Sequence, residues 1–193
     1  MVKYSYKLQF QQYGSTGAPT NFIIPASSGG TPGQGSAVFT LSLSNLPAYA
    51  NYQNMYDSYR ITRIKVRMVP SGNTASIDQS TQNCFIYSVM DYNDYALLTT
   101  AADAQSYQNC RVTKNTSEHI RSFVPAVAYV LSDLSSNTFV QAMFAPWLST
   151  NDTITPHGYM KIISDKNPTP NTFTYEVHFT VWVEFKSVRN ISE

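Results

Sequence analysis

Three histidines, His119, His157 and His178, are the residues of this 193-residue sequence best suited to metal binding or acid–base work. Their spacing suits neither. No His-x-His or His-Glu-x-x-His pair occurs, so a metal site would have to be assembled by the fold from separate segments. The acidic run Asp91-Tyr-Asn-Asp94 offers oxygen ligands of the kind calcium takes, but it stands where a strand pattern ends and reads first as a turn. Gly29-Gly-Thr-Pro-Gly-Gln-Gly35 lacks the Lys-Ser/Thr of a phosphate loop and precedes a strand pattern where a helix would be needed, so it reads as a flexible loop. No Gly-x-Ser-x-Gly is present, and neither Cys84 nor Cys110 has a histidine neighbour. Without a nucleophile, base and orienting group, the sequence predicts no enzyme, no catalytic residue, no metal site and no cofactor.

The cations say more. Arg60, Arg63, Lys65 and Arg67 fall within eight residues that contain no acid. Arg63, Lys65 and Arg67 alternate with Ile64, Val66 and Met68, which places the three charges on one face of a strand. Like charges in such a row repel, so the face is either open to solvent or set against something anionic. The whole chain carries a formal charge of only +1, with a pI near 7.7, which predicts no strong attraction of the whole molecule to nucleic acid or membrane. Attraction to a polyanion would have to come from charge gathered on one side.

The elements that must position these residues are strands. Phe173, Tyr175, Val177, Phe179, Val181, Val183 and Phe185 alternate with polar neighbours throughout Thr172–Lys186, the period of a strand with one buried face. Val2–Phe10 and Tyr59–Val69 behave alike. Shorter patterns predict strands at Ala37–Leu43, Cys84–Met90, Cys110–Thr113, His119–Val124 and Tyr159–Ser164, eight in all. Two short helices are expected. One is Leu46–Tyr56, with Pro47 in its first turn and Asn45 as cap; the other follows a capping box at Thr100-Ala-Ala-Asp103. Gln12–Ser36 and Pro125–Pro156 read as long loops, which in a compact domain are usually functional or lie in interfaces. Eight antiparallel strands with uneven connections predict an all-β domain, a two-sheet jelly roll rather than an up-and-down barrel.

Composition agrees. Charged residues are 13% of the chain, about half the usual ~25%, and 14 Tyr and 10 Phe argue against disorder and against a helical bundle. No apolar run reaches the length of a membrane-spanning helix, and residues 1–10 do not read as a signal peptide. Two cysteines make no disulfide framework and are expected reduced and buried. The Asn-x-Ser/Thr matches at Asn115, Asn151 and Asn190 are what chance supplies in such a composition.

Tyr56-Asp-Ser-Tyr-Arg-Ile-Thr-Arg-Ile-Lys-Val-Arg-Met-Val-Pro70 resembles a strand of small viral jelly-roll capsid proteins, especially those of circular single-stranded DNA viruses that encode a replication protein, the circovirus-like CRESS-DNA group. Ser88-Val-Met-Asp-Tyr-Asn-Asp94 is similar to their strand-end segment. Trp147, His157-Gly-Tyr159 and the last aromatic strand, ending Val183-Glu-Phe-Lys-Ser-Val-Arg189, continue the same order. The resemblance spans nearly the whole chain and rests on the order of individually weak motifs.

It implies one jelly-roll domain over residues 1–193, with strands B to I arranged in two four-stranded antiparallel sheets, B-I-D-G and C-H-E-F. It also implies self-assembly into a T=1 icosahedral shell of about sixty copies around a single-stranded DNA genome. In this mapping the non-core face of B, I, D and G carries Lys3, Lys7, Arg63, Lys65, Arg67, Arg121 and Lys186. Only Glu176 and Glu184 oppose these seven bases, so the face carries +5. These seven are the candidate nucleic-acid-binding residues. Tyr49, Tyr52, Tyr56 and Trp147 are the candidate subunit contacts, since Tyr and Trp are enriched at interface cores. Family members carry an arginine-rich N-terminal arm, whereas here strand B is expected to begin at Val2; the expectation is that the arm has been truncated, the alternative being a natural variant that relies on the sheet face.

The expected location is the virion, with assembly in the host nucleus or cytoplasm. A host-cell receptor or glycan is a possible partner for exposed loops, and no membrane is expected. A coat protein of a small RNA or satellite virus, or a carbohydrate-binding jelly-roll module, are the alternatives. Assembly into uniform particles separates both capsid readings from the module.

Overall fold

A computed structural model describes residues 5–13, 21–71, 84–132, 138–168 and 171–188. Twelve strands occur among them: β1 (Ser5–Tyr13), β2 (Asn21–Ile24), β3 (Ser36–Thr40), β4 (Tyr56–Ser71), β5 (Phe85–Asp91), β6 (Arg111–Lys114), β7 (His119–Phe123), β8 (Ala126–Ser132), β9 (Thr138–Phe144), β10 (Leu148–Ser149), β11 (Tyr159–Ser164) and β12 (Phe173–Val188). The helices are α1 (Tyr49–Met55) and α2 (Ala101–Gln105), with a 3₁₀ turn at Leu43–Asn45. Among the described residues no helix is long and apolar enough to cross a membrane.

The first sheet is built on two 16-residue strands, β4 and β12, paired antiparallel along their length. The far edge of β12 takes β1 and then β2; the far edge of β4 takes β7 and then β10. The second sheet runs β3–β11–β5–β6. With β1, β12, β4 and β7 as B, I, D and G, and β3, β11, β5 and β6 as C, H, E and F, these are the two jelly-roll sheets.

The alternation in the sequence explains how they pack. Every odd residue from Phe173 to Phe185 is buried, facing a layer that includes Phe39, Ile86, Met160 and Ile162 from the second sheet. Each large side chain so buried contributes about 1.5–3 kcal/mol.

Several local expectations fall differently. The segment read as the loop Gln12–Ser36 contains β2, and Pro125–Pro156 contains the β8–β9 hairpin and β10. The helix expected at Leu46–Tyr56 begins only at Tyr49, after Ala48 at φ +55°. Asn45 does not cap it, because its Oδ1 turns back to accept from the Ser42 N–H at 2.8 Å and closes the 3₁₀ turn instead. The Thr100–Asp103 capping box is formed, with Asp103 N–H donating to Thr100 Oγ1 at 3.1 Å and Thr100 N–H to Asp103 Oδ2 at 2.8 Å. Cys84 is buried and Cys110 half-buried, and both are free thiols. Burial pushes the Cys84 thiol up to about 11.

The middle of the second sheet's outer face is covered. The β5–β6 connection folds across it, seating Leu98 and Ala104 on Tyr87, Val89 and Ile163. Lys161 lies beneath this cover, donating to Asp91 Oδ2 at 2.9 Å and Asp94 Oδ1 at 2.8 Å. Burial pushes the Asp91 carboxyl up, but the Asn93 N–H, Lys161 and Tyr107 outweigh it and hold it below the usual range. Asp91 Oδ1 also accepts from Asn93 N–H at 2.9 Å, so Asp91–Asp94 is a turn whose acids are engaged by a lysine.

Candidate nucleic-acid interface

The outer face of the first sheet is set by register. β12 contributes Glu176, His178, Thr180, Trp182, Glu184 and Lys186; opposite them on β4 stand Val69, Arg67, Lys65, Arg63, Arg60 and Ser58. Between Trp182 and Val183 the register shifts by one, with Thr62 as the extra residue of a β-bulge. The bulge lets Ile61 and Ile64, three apart, both enter the core, and by the same shift both Arg60 and Arg63 point outward. On the other side of β12, Lys7 of β1 stands in register with Glu184.

Contacts divide the cations. Arg60 Nε and Nη2 lie 2.8 and 2.6 Å from Glu184 Oε2. Arg67 makes a two-pronged pair with Glu118, its Nε donating at 3.1 Å, and this partner holds the Glu118 carboxyl below its ordinary range. The other cations meet neutral groups. Arg63 donates to Ser122 Oγ at 2.7 Å, and its Cζ lies 5.0 Å from the Trp182 ring centroid. Lys186 Nζ lies 4.3 Å from the Trp147 ring, which Arg60 Cζ also approaches, at 4.7 Å. Lys65 makes no ion pair within 4 Å among the described residues, though its charge also helps hold the Glu118 carboxyl down. Five cations stand against Glu118, Glu176 and Glu184, a surplus of +2 before Lys7 is counted.

A profile of the circovirus capsid protein matches residues 3–189. The chain belongs to the circovirus capsid protein family. Solved structures agree on the fold. The 60-mer BFDV capsid protein is similar with a TM-score of 0.67 at 18% identity, covering 100% of this chain and 98% of that one. The decameric BFDV capsid protein scores 0.60 at 17% identity, covering 95% and 99%. Mud crab tombus-like virus scores 0.57 at 13% identity, covering 100% and 93%. No curated protein sequence matches.

In this capsid protein the candidate basic residues are only partly brought together. Arg63, Lys65, Arg67 and Lys186 share the face. Lys7 joins it by backbone register, and Lys3 lies outside the described residues. Arg121 does not belong to it. It stands in register with the core residue Val66, so it projects toward the second sheet, where its Nη2 donates to Asn109 O at 2.8 Å. The physical reason is its neighbour of like parity, His119, which is fully buried and ties β7 to the other sheet. Burial, then Arg111, pushes the Arg121 guanidinium below its ordinary value.

Three members of the face were not on the sequence's candidate list. Arg60 had been on the opposite parity; the three-residue gap between Ile61 and Ile64 was the available sign of the bulge. Trp182 lies on the outward parity of β12, and Glu118 comes from the turn before β7. Of the candidate subunit contacts, Tyr52 stacks on Phe185 at 5.0 Å with planes 20° apart, and Tyr56 meets the same ring at 5.1 Å. With Tyr49 they cover the end of their own core, half-buried.

Two of the three histidines are buried and tied into the fold. His119 is buried with Nδ1 2.9 Å from Thr113 Oγ1, and His157 is buried with Nδ1 donating to Thr155 O at 3.0 Å. Among the described residues no three His, Cys, Asp or Glu side chains converge as metal ligands.

Proposed function

We propose that this capsid protein closes into an icosahedral shell of sixty copies, the number in the BFDV capsid protein 60-mer, with the outer face of the β1–β12–β4–β7 sheet turned toward a packaged single-stranded DNA genome. One observation carries the orientation: Arg63 and Lys186 rest on neutral groups, and Lys65, on the same sheet face, makes no ion pair within 4 Å among the described residues. A phosphate backbone would supply the missing anions. Such contacts need no base reading, and affinity would fall steeply with salt. The protein is then a component of the virion, assembled in the host nucleus or cytoplasm. Family membership favours DNA over RNA, since the fold alone is shared with the mud crab tombus-like virus.

Particles assembled from wild-type protein and from the Arg63→Glu/Lys65→Glu variant decide the matter. The variant is expected to package several-fold less nucleic acid, read from the ultraviolet absorbance ratio of purified particles. Equal nucleic-acid content in equally well-formed shells would overturn the proposal.

A further inference from the structure

The chain has two tryptophans, and both lie on this basic face. Neither belongs to the buried core, and each lies against cations: Trp182 against Arg63, Trp147 against Arg60 and Lys186. A half-buried indole on the non-core side of a sheet is not required by packing. Resting under a cation, it is held in place, and the flat guanidinium beside it extends the stacking surface.

Trp182 and Lys186 are four residues apart on β12, about 13 Å at the rise of an extended strand, so the two aromatic stations sit along one line with cations between and beside them. Aromatic rings interleaved with phosphate-binding cations are the arrangement by which proteins hold single strands, because an unpaired base has a free π face and a duplex base does not.

We infer that Trp147 and Trp182 are stacking platforms for unpaired nucleobases, so that this face holds a single strand by its bases as well as by its phosphates. The inference rests on the genome-facing reading above. It also assigns Trp147 to nucleic acid and not to a subunit contact: a second copy meeting this face would have to present matching carboxylates, which a polyanion supplies along its whole length.

The test compares binding of a 20-nucleotide oligothymidylate, an abasic phosphodiester strand of equal length and a duplex, over a range of salt concentrations. With two tryptophans in the chain, intrinsic fluorescence reads this face directly. Oligothymidylate is expected to quench it and to bind about tenfold more tightly than the abasic strand. The Trp147→Leu/Trp182→Leu variant should lose that preference and keep the salt dependence, while Trp147→Phe/Trp182→Phe should keep most of both.

Equal binding of the abasic strand, or tighter binding of duplex than of oligothymidylate, overturns the stacking platforms and leaves phosphate binding standing. Should the leucine variant fail to fold, the wild-type comparison and the phenylalanine variant still decide. Absence of binding by either single strand overturns the genome-facing reading itself. Tryptophan variants that stay monomeric, with wild-type binding indifferent to bases, would make Trp147 a subunit contact and overturn the inference.

Discussion

His119 Nε2 lies 2.6 Å from Ser88 Oγ, so a buried imidazole on β7 pins one sheet of the sandwich to β5 of the other. Its second nitrogen is engaged by Thr113, and burial, with Arg121 and Arg111 nearby, pushes its pKa down to about 4. His157, also buried, is pushed down to about 4 by the same desolvation. An unfolded histidine titrates near 6.5, so below that pH the unfolded chain takes up protons that the folded chain refuses. The stabilisation is complete above pH 6.5 and is lost as pH falls toward 4, by up to about 3 kcal/mol per histidine. Urea midpoints measured from pH 7 to pH 4 should fall, and His157→Gln should make the fall shallower. A flat wild-type profile would contradict the assignment.

Lys161 joins the second sheet to the segment that covers it. Replacing it by Met leaves Asp91 buried without its ammonium, and breaking a buried pair in this way costs about 3–5 kcal/mol. The Asp94 contact adds less because that carboxylate is more than half exposed. Lys161→Met should lower the urea midpoint and speed amide exchange between residues 92 and 110. Adding Asp91→Asn should recover part of the loss.

Gly158 adopts φ +88°, and a Cβ there would stand 2.9 Å from Tyr92 Cδ1. Tyr92 is held in turn, edge-on to Phe144 and donating to Val124 O at 3.1 Å, at the base of the β8–β9 hairpin. Gly158→Ala therefore pays a left-handed strain of about 1–2 kcal/mol and displaces the ring as well. Combined with Tyr92→Ala, only the strain should remain, which a double-mutant cycle would show as coupling.

Glu118 quenches one charge of the basic face. Glu118→Gln frees Arg67, so the slope of log affinity for a single strand against log salt should steepen by about 0.7, one added phosphate contact. Thermal stability should change little, the pair being exposed. An unaltered slope would show that Arg67 does not reach the nucleic acid.

Charge segregation and the eight jelly-roll strands were legible because both are local. The unbroken alternation from Phe173 to Phe185 can satisfy water only as a strand with one face inward, and the Thr100–Asp103 box closes within a single turn. Strand pairing was legible only through resemblance, since nothing local in β12 says that β1 and β4 flank it. The capsid protein's β5 and β11 were the least transparent: their nearly continuous burial comes from a cover more than fifty residues away from β11 in sequence, not from their own periodicity.

What the sequence by itself determined is which residues alternate, and hence that a row of cations shares one side of one strand. Which side that is, and what stands beside it, only the tertiary structure decided. Thr62 shifts the parity of β4 and brings Arg60 outward; burial of His119 turns Arg121 inward. A period of two is intrinsic to the extended chain, but its phase is set by the partner strand and by the core, and both of those arrive from far along the chain.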